Sequence, residues 1–316
     1  VASQVDLHGS YGGVVPEIAA RAHVESIVPV VAEALRASGD APDAVAVTVG
    51  PGLVGSLVVG LSCAKALAWS WGVPLVAVNH LEAHAFAPAL EDSLPDTPFL
   101  ALVVSGGHTL LAEVRALDDI EVLGETRDDA VGEAYDKVSK FLGLGYPGGP
   151  VLDRLAAKGN PRAVDLPRAM MHSGDYDFSM SGLKTAVIRY IARLEAEGRE
   201  PPPPEDLAAS FQAAVVEVLV GKTVRAALDR GLRHVVIGGG VACNSGLRSA
   251  LGAACGREGL VLVGTSGSLC TDNAAMVAAA GYMRYVAGQF SGLDTDVHPN
   301  LRLGEPIPQA PDGLVR

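Results

Sequence analysis

The sequence predicts an α/β fold, a mostly parallel sheet wound on both sides by helices and divided into two lobes. Short apolar strands alternate with helical stretches along most of the chain, the pattern of strand–helix–strand units. Glycine clusters close two of these strands and turn the chain toward a helix, at Gly50-Pro51-Gly52 and at Gly238-Gly239-Gly240. The length, 316 residues, is more than one compact core usually fills.

The elements follow in order. Pro16 opens a helix over residues 16–37, since its missing N–H costs nothing in a first turn, and Pro29 inside that span predicts a kink or break. Residues 44–49 are a short apolar strand, and a helix follows over 56–71. A second strand at 75–78 runs into a helix that begins near His80. Residues 99–104 and 109–114 flank Ser105-Gly106-Gly107-His108 as a hairpin. A helix over 129–142 is closed by the Gly- and Pro-rich run 143–150. Four consecutive prolines make 198–205 a stiff surface connection, before a helix over 205–230 and a strand at 234–237. Further helices begin near Asn244 and near Asp272, and the tail beyond Phe290 is expected to wrap the surface. The strand–glycine–helix order recurs once, at 45–68 and 235–250, a single echo that suits two similar lobes.

Composition narrows the function. The formal charge is −12, with Lys and Arg scattered, which argues against a free-standing nucleic-acid binder and leaves room for a nucleic-acid substrate captured with a helper protein. No apolar run reaches membrane-spanning length free of Gly and polar breaks, so no membrane association is expected. The opening Val1-Ala2-Ser3-Gln4-Val5-Asp6 lacks the basic and apolar regions of a secretory signal, and a cytoplasmic location is expected. Cys63, Cys243, Cys255 and Cys270 lack paired metal-binding spacing and stand in apolar or small-residue stretches, which predicts buried thiols.

The candidate chemistry begins with Asn79-His80-Leu81-Glu82-Ala83-His84. Residues four apart share a helix face, so both imidazoles can meet one metal ion. Two surface histidines would give the same spacing, but the pair follows directly on a strand's carboxyl end, where α/β folds place ligands. Glu82 is two positions beyond His80, on nearly the opposite side, so the zinc-protease pattern does not apply. The glycine turns at Ser105-Gly106-Gly107-His108 and Gly238-Gly239-Gly240 would let backbone N–H groups approach phosphate, though either taken singly reads first as a tight turn with no function. Neither matches the dinucleotide or P-loop pattern. Taken alone, Thr271 or Asp272 reads as a helix N-cap and Asp136 as a solvated charge. His108 is a candidate general base.

In chain order, the stretches Tyr11-Gly12-Gly13-Val14-Val15-Pro16-Glu17, Gly50-Pro51-Gly52-Leu53, Asn79-His80-Leu81-Glu82-Ala83-His84, Val104-Ser105-Gly106-Gly107-His108-Thr109 and Gly132-Glu133-Ala134-Tyr135-Asp136-Lys137 are joined by Tyr146-Pro147-Gly148-Gly149-Pro150, Phe178-Ser179-Met180-Ser181-Gly182-Leu183-Lys184, Gly238-Gly239-Gly240-Val241-Ala242-Cys243-Asn244 and Thr271-Asp272-Asn273. Together this ordered set resembles the tRNA threonylcarbamoyladenosine transferase family, called TsaD in bacteria and formerly O-sialoglycoprotein endopeptidase. Each motif is moderately specific, and their order is strongly so.

The resemblance implies two ribonuclease-H-like lobes of the actin, sugar-kinase and heat-shock-chaperone (ASKHA) type with the active site between them. Residues 1–97 with 276–316 would form the first lobe and 98–275 the second. Family members open with a strand bearing a Glu-Thr-Ser-Cys-Asp-Glu-Thr-like stretch, so the first lobe is expected to be incomplete at its start. The resemblance makes Asp272 a metal ligand with His80 and His84, the ion being Fe(2+), with zinc as the alternative. It also implies that Val103, Val104, Ser105, Gly106, Gly107, Asp136, Gly149, Asp153 and Asn244 contact threonylcarbamoyl-AMP or another adenine nucleotide. Val103 takes the place of a Tyr found in archaeal and eukaryotic relatives, as in the bacterial branch. The implied activity transfers a threonylcarbamoyl group to the N6 amine of adenosine 37 in tRNAs reading ANN codons, with TsaB-like and TsaE-like partner proteins. An ASKHA-fold small-molecule kinase and an inactive scaffold are the alternatives.

Overall fold

The computed structural model describes residues 3, 4, 7, 9, 11 and 13–307. Most of the opening segment, Gly12 of the first motif included, and the tail from 308 onward lie outside the described residues. The chain forms two compact units, one of Val1–Asp92, Leu117–Asp119 and Asp272–Arg316, the other of Ser93–Ala116 and Ile120–Thr271.

In the first unit, α1 (Pro16–Ser38) is one helix through Pro29, so of the expected kink or break the break does not occur. Pro29 is exposed, so the carbonyl it leaves without an intrahelical donor can be hydrated. Gly39, with φ 76°, ends the helix by donating to the Leu35 carbonyl. Strands β1 (Val45–Gly50) and β2 (Leu75–Asn79) pair in parallel from Val45 opposite Leu75. The helix α2 (Val54–Trp71) joins them and buries Leu57, Leu61, Ala64 and Ala68. β2 passes directly into α3 (His80–Phe86).

The segment after α10 (Ala274–Val286) corrects the expected surface tail. Leu301, Leu303 and Ile307 are buried, and Leu301 and Ile307 join the core of Val49, Leu61, Leu75 and Ala77. Backbone bonds fasten it, from Ser291 N to the Leu75 carbonyl (2.8 Å) and from His298 N to that of Val49 (2.7 Å).

The second unit is built on a five-stranded sheet. Its strands are β3 (Phe99–Val104), β4 (Thr109–Ala116), β5 (Asp119–Glu125), β6 (His234–Gly238) and β7 (Val261–Gly264), ordered β5-β4-β3-β6-β7. β3 and β4 are the expected hairpin and run antiparallel, whereas β3–β6 and β6–β7 are parallel. The sheet is therefore mixed rather than mostly parallel, because a short turn can only return the chain antiparallel. The helices are α4 (Val131–Phe141), α5 (Gly148–Ala156), α6 (Ser181–Ala196), α7 (Pro204–Asp229), α8 (Ser245–Arg257) and the short α9 (Gly267–Cys270).

By length and composition both α2 and α7 are apolar enough to cross a membrane, though each is interrupted by Gly and by polar residues, as the sequence reading has it. In α7, 72% of the apolar window is buried inside the protein, which makes it the central core helix of its unit. In α2 the corresponding share is 22%. Buried on α7, Lys222 donates to Ser173 Oγ (2.8 Å) and to the carbonyls of Asp175 and Asp177, fastening the segment before α6. Burial pushes its pKa down, against the opposing pull of Asp175.

The expectation of four buried thiols holds for Cys255 and Cys270 only. Cys63 is half-buried and Cys243 exposed, because Cys243 lies in the 3₁₀ turn between β6 and α8 rather than in a core strand.

Candidate metal and nucleotide sites

The histidine pair is positioned by the change from β2 to α3. Asn79 caps the helix by accepting from Leu81 N (2.8 Å) and is itself tied to the Arg302 carbonyl through Nδ2 (2.9 Å). This fixes His80 at the first helical position and His84 one turn on, with ring centroids 4.7 Å apart. Glu82 points away from both rings, as the spacing requires, into a buried ion pair with Arg284 of α10 (2.6 Å). Burial pushes the Glu82 carboxyl up in pKa and Arg284 opposes it.

Asp272 meets the histidines from the other end of its unit. Its Oδ1 lies 3.1 Å from His84 Nε2 and 3.5 Å from His80 Nε2. The capping role expected of Thr271 or Asp272 belongs to Asn273, whose side chain accepts from Met276 N (2.9 Å). The Asp272 carboxylate faces the imidazoles.

The three residues fit a cation by the distances between donors. Their ligand atoms all lie within 4.8 Å of one another. An ion holding ligands at about 2.1 Å sets neighbouring donors about 3.0–3.5 Å apart, which matches both Asp272 distances. Two histidines and one carboxylate are also the donor set of non-haem iron(II) and of several zinc sites. The outer shell is less complete. His84 is 1% exposed, and its Nδ1 has no hydrogen-bond partner among the described residues, where a ligating imidazole usually donates its second N–H.

The predicted nucleotide residues all belong to the second unit. Parallel pairing of β3 with β6 sets Val103 opposite Gly238 and brings the two glycine turns to the same strand ends, where open α/β sheets bind ligands. Gly239 has φ 94°, and a Cβ there would overlap the Val104 carbonyl, so only glycine lets these strand ends approach. Val103 and Val104 are fully buried, which leaves their backbone alone for any ligand. In the turn, the Gly107 and His108 N–H groups already donate to Ser105 Oγ, at 3.3 and 3.1 Å. A phosphate drawing on them must displace that hydroxyl.

Asp136 is no solvated charge. It is half-buried on α4 and accepts from Gly148 N (2.7 Å), holding the Tyr146–Gly149 turn at the start of α5. Burial pushes its pKa up, while the Gly148 bond opposes the shift. Asp153, one turn into α5, accepts from Ser245 N and from Ser245 Oγ, each at 3.0 Å. Asn244 caps α8 by accepting from Leu247 N (2.8 Å). Gly149 has nothing within 4 Å of where a Cβ would stand, so its face is open.

Tyr135, Gln212, Ser245 and Arg284 were not anticipated. Arg284 had a signal, the one charged group in an otherwise apolar helix, which calls for a partner, whereas Gln212 shares its helix with several other polar residues and had none. Gln212 also lines a cavity of about 200 Å³ with Ala156, Pro161, Ala213 and Gly246.

These features define a class: an α/β protein with one parallel strand pair and one mixed sheet, a two-histidine, one-carboxylate cluster in one unit and converging glycine turns in the other. The family model for TsaD, tRNA N6-adenosine threonylcarbamoyltransferase, matches residues 1–279, and the chain belongs to that family. It is 52% identical over 314 residues to the tRNA N6-adenosine threonylcarbamoyltransferase of Syntrophotalea carbinolica, covering 98% of this chain and 90% of that protein. Against the protein of the same name from Symbiobacterium thermophilum it is 54% identical, covering 96% and 89%. Among solved structures, full-length HypF in its phosphate- and nucleotide-bound form aligns with a TM-score of 0.60 at 14% identity, over 82% of this chain and 41% of HypF. HypF of T. kodakarensis aligns with a TM-score of 0.55 at 16% identity, over 76% and 40%. At such identities the likeness concerns the fold alone.

Proposed function

We propose that the protein transfers the threonylcarbamoyl group of threonylcarbamoyl-AMP to the N6 amine of adenosine 37 in tRNAs reading ANN codons. The observation that carries this reading is the family match, sustained at more than half identity across about nine-tenths of the curated relatives. It favours the transferase over the kinase and scaffold alternatives. The fold is then the two-lobed ASKHA type, and the location cytoplasmic.

In this reaction a C–N bond forms between N6 and the carbamoyl carbon, the carbon–oxygen bond to phosphate breaks, and AMP and a proton leave. His80, His84 and Asp272 would hold iron(II), or zinc, through two imidazole nitrogens and a carboxylate oxygen. When bound, such an ion supplies Lewis acidity toward an oxygen of the acyl group. The chain's own part is to grip the adenylate. Asp153 offers a carboxylate for ribose hydroxyls, and Asn244 an amide at the same edge. Asp136 and Gly148 fix the turn whose open Gly149 face can lie against a flat group. The backbone of Val103–Gly107 would offer hydrogen-bond donors to the leaving phosphate. His108 is the candidate to take the proton. The charge of −12 works against unaided tRNA capture, which suits TsaB-like and TsaE-like helpers.

The test is reconstitution with threonylcarbamoyl-AMP, unmodified tRNA and the partner proteins, followed by nucleoside chromatography. One AMP should appear per modified adenosine. AMP released with the tRNA unmodified would contradict the reading.

A further inference from the structure

Gln212 joins four elements of the second unit. It sits on α7 at 8% exposure, and its side-chain amide is used at both ends. Nε2 donates to Asp153 Oδ1 on α5 (3.0 Å). Oε1 accepts from Asn244 Nδ2 (2.7 Å) and from the Tyr135 hydroxyl on α4 (3.2 Å). Asn244 Nδ2 also donates to the Tyr135 oxygen (3.4 Å), while its Oδ1 is taken by the α8 cap.

These bonds leave one arrangement. Turning the Gln212 amide over would set its N–H₂ against that of Asn244 and its oxygen against a carboxylate. Turning Asn244 over would lose the helix cap. Tyr135 is fully buried against Phe211, with ring centroids 5.0 Å apart, and burial holds its hydroxyl protonated, so it has a proton to give. At the fourth side, a Cβ on Gly246 would lie 2.5 Å from Gln212 Nε2, so glycine is what lets the start of α8 close on the amide. Apolar side chains would pack these helices with fewer demands, whereas a fully satisfied polar network specifies direction.

We infer that Gln212 is a positioning residue for the adenylate: through its two amide ends it sets the Asp153 carboxylate and the Asn244 amide in the orientation that the nucleotide meets. This rests on the reading of Asp153 and Asn244 as nucleotide contacts.

The test compares Gln212→Glu, Gln212→Met and Asp153→Ala with the wild type in the full chain, by calorimetric titration of AMP and by kcat and KM for threonylcarbamoyl-AMP. Gln212→Glu keeps the size and the acceptor toward Asn244 and Tyr135, but sets a carboxylate oxygen against Asp153. Both Gln212 variants should bind AMP at least tenfold more weakly and raise KM likewise, with kcat within threefold and the thermal midpoint within a few degrees. If Asp153→Ala weakens AMP while folded Gln212 variants bind it normally, the positioning role is overturned and the nucleotide reading stands. If Asp153→Ala binds AMP normally, the nucleotide reading of Asp153 fails, and the inference with it. If Gln212→Met does not fold, Gln212→Glu decides alone. Failure of both to fold would make Gln212 a folding residue and overturn the inference.

Discussion

The two candidate sites are opposites in how their polar groups are satisfied. Around Asp153, Gln212 and Asn244, amide, carboxylate and hydroxyl groups answer one another from four helices, and the geometry is complete from within. At His80, His84 and Asp272, two imidazoles crowd one carboxylate oxygen, that carboxylate is 73% exposed, and a buried ring nitrogen lacks a partner among the described residues. The first arrangement is rigid before any ligand arrives. The second consists of donors whose natural complement is a cation.

That contrast breaks most sharply at His84. His84→Ala should lower bound iron or zinc, read by elemental analysis, and cut tRNA modification by more than about 100-fold, beyond the 10–100-fold typical of changes to a ligand's supporting shell. AMP affinity should stay near the wild-type value.

The next effect concerns the support of α3. Arg284→Met leaves the Glu82 carboxylate buried without its partner, and urea unfolding should show a loss of about 3–5 kcal/mol. Adding Glu82→Gln should recover much of it, since the stranded charge is then gone. No recovery would mean that Arg284 matters for packing rather than for charge.

A smaller effect tests the second unit's scaffold. Asp128 accepts from Ser179 Oγ, Met180 N and both donors of Ser181, and so caps α6 from 53 residues away in sequence. Burial pushes its pKa up, but these hydrogen bonds outweigh that and hold it below the ordinary value. A depressed carboxyl stabilises the fold above its unfolded pKa, about 3.9, and the contribution disappears as pH falls through the folded value. Asp128→Ala should therefore cost about 1 kcal/mol at pH 7, and the difference from wild type should close below about pH 4. A gap that stays constant down to pH 3 would show that charge has no part in the cap.

Much of the framework was legible because it rests on local patterns. The β3–β4 hairpin, the strand into α3 and the Pro-led start of α1 follow from alternation, turn chemistry and capping. β5 and β7 were not foreseen, since four to seven residues of partly exposed strand carry little periodicity. The histidine pair was visible as i, i+4 spacing, but Asp272 lies 188 residues from His84, and only the ordered motifs linked them. Locally Asp272 looked like a cap, a role its neighbour Asn273 performs. Gln212 and Tyr135 escaped notice because a hydrogen-bond network between helices leaves no spacing rule in the sequence.

The most direct test of the contrast treats the protein with a chelator, then measures AMP binding and tRNA modification on the same preparation. AMP affinity should hold within about threefold, modification should fall to background, and added iron(II) or zinc should restore it. Full modification with metal below detection would contradict the account.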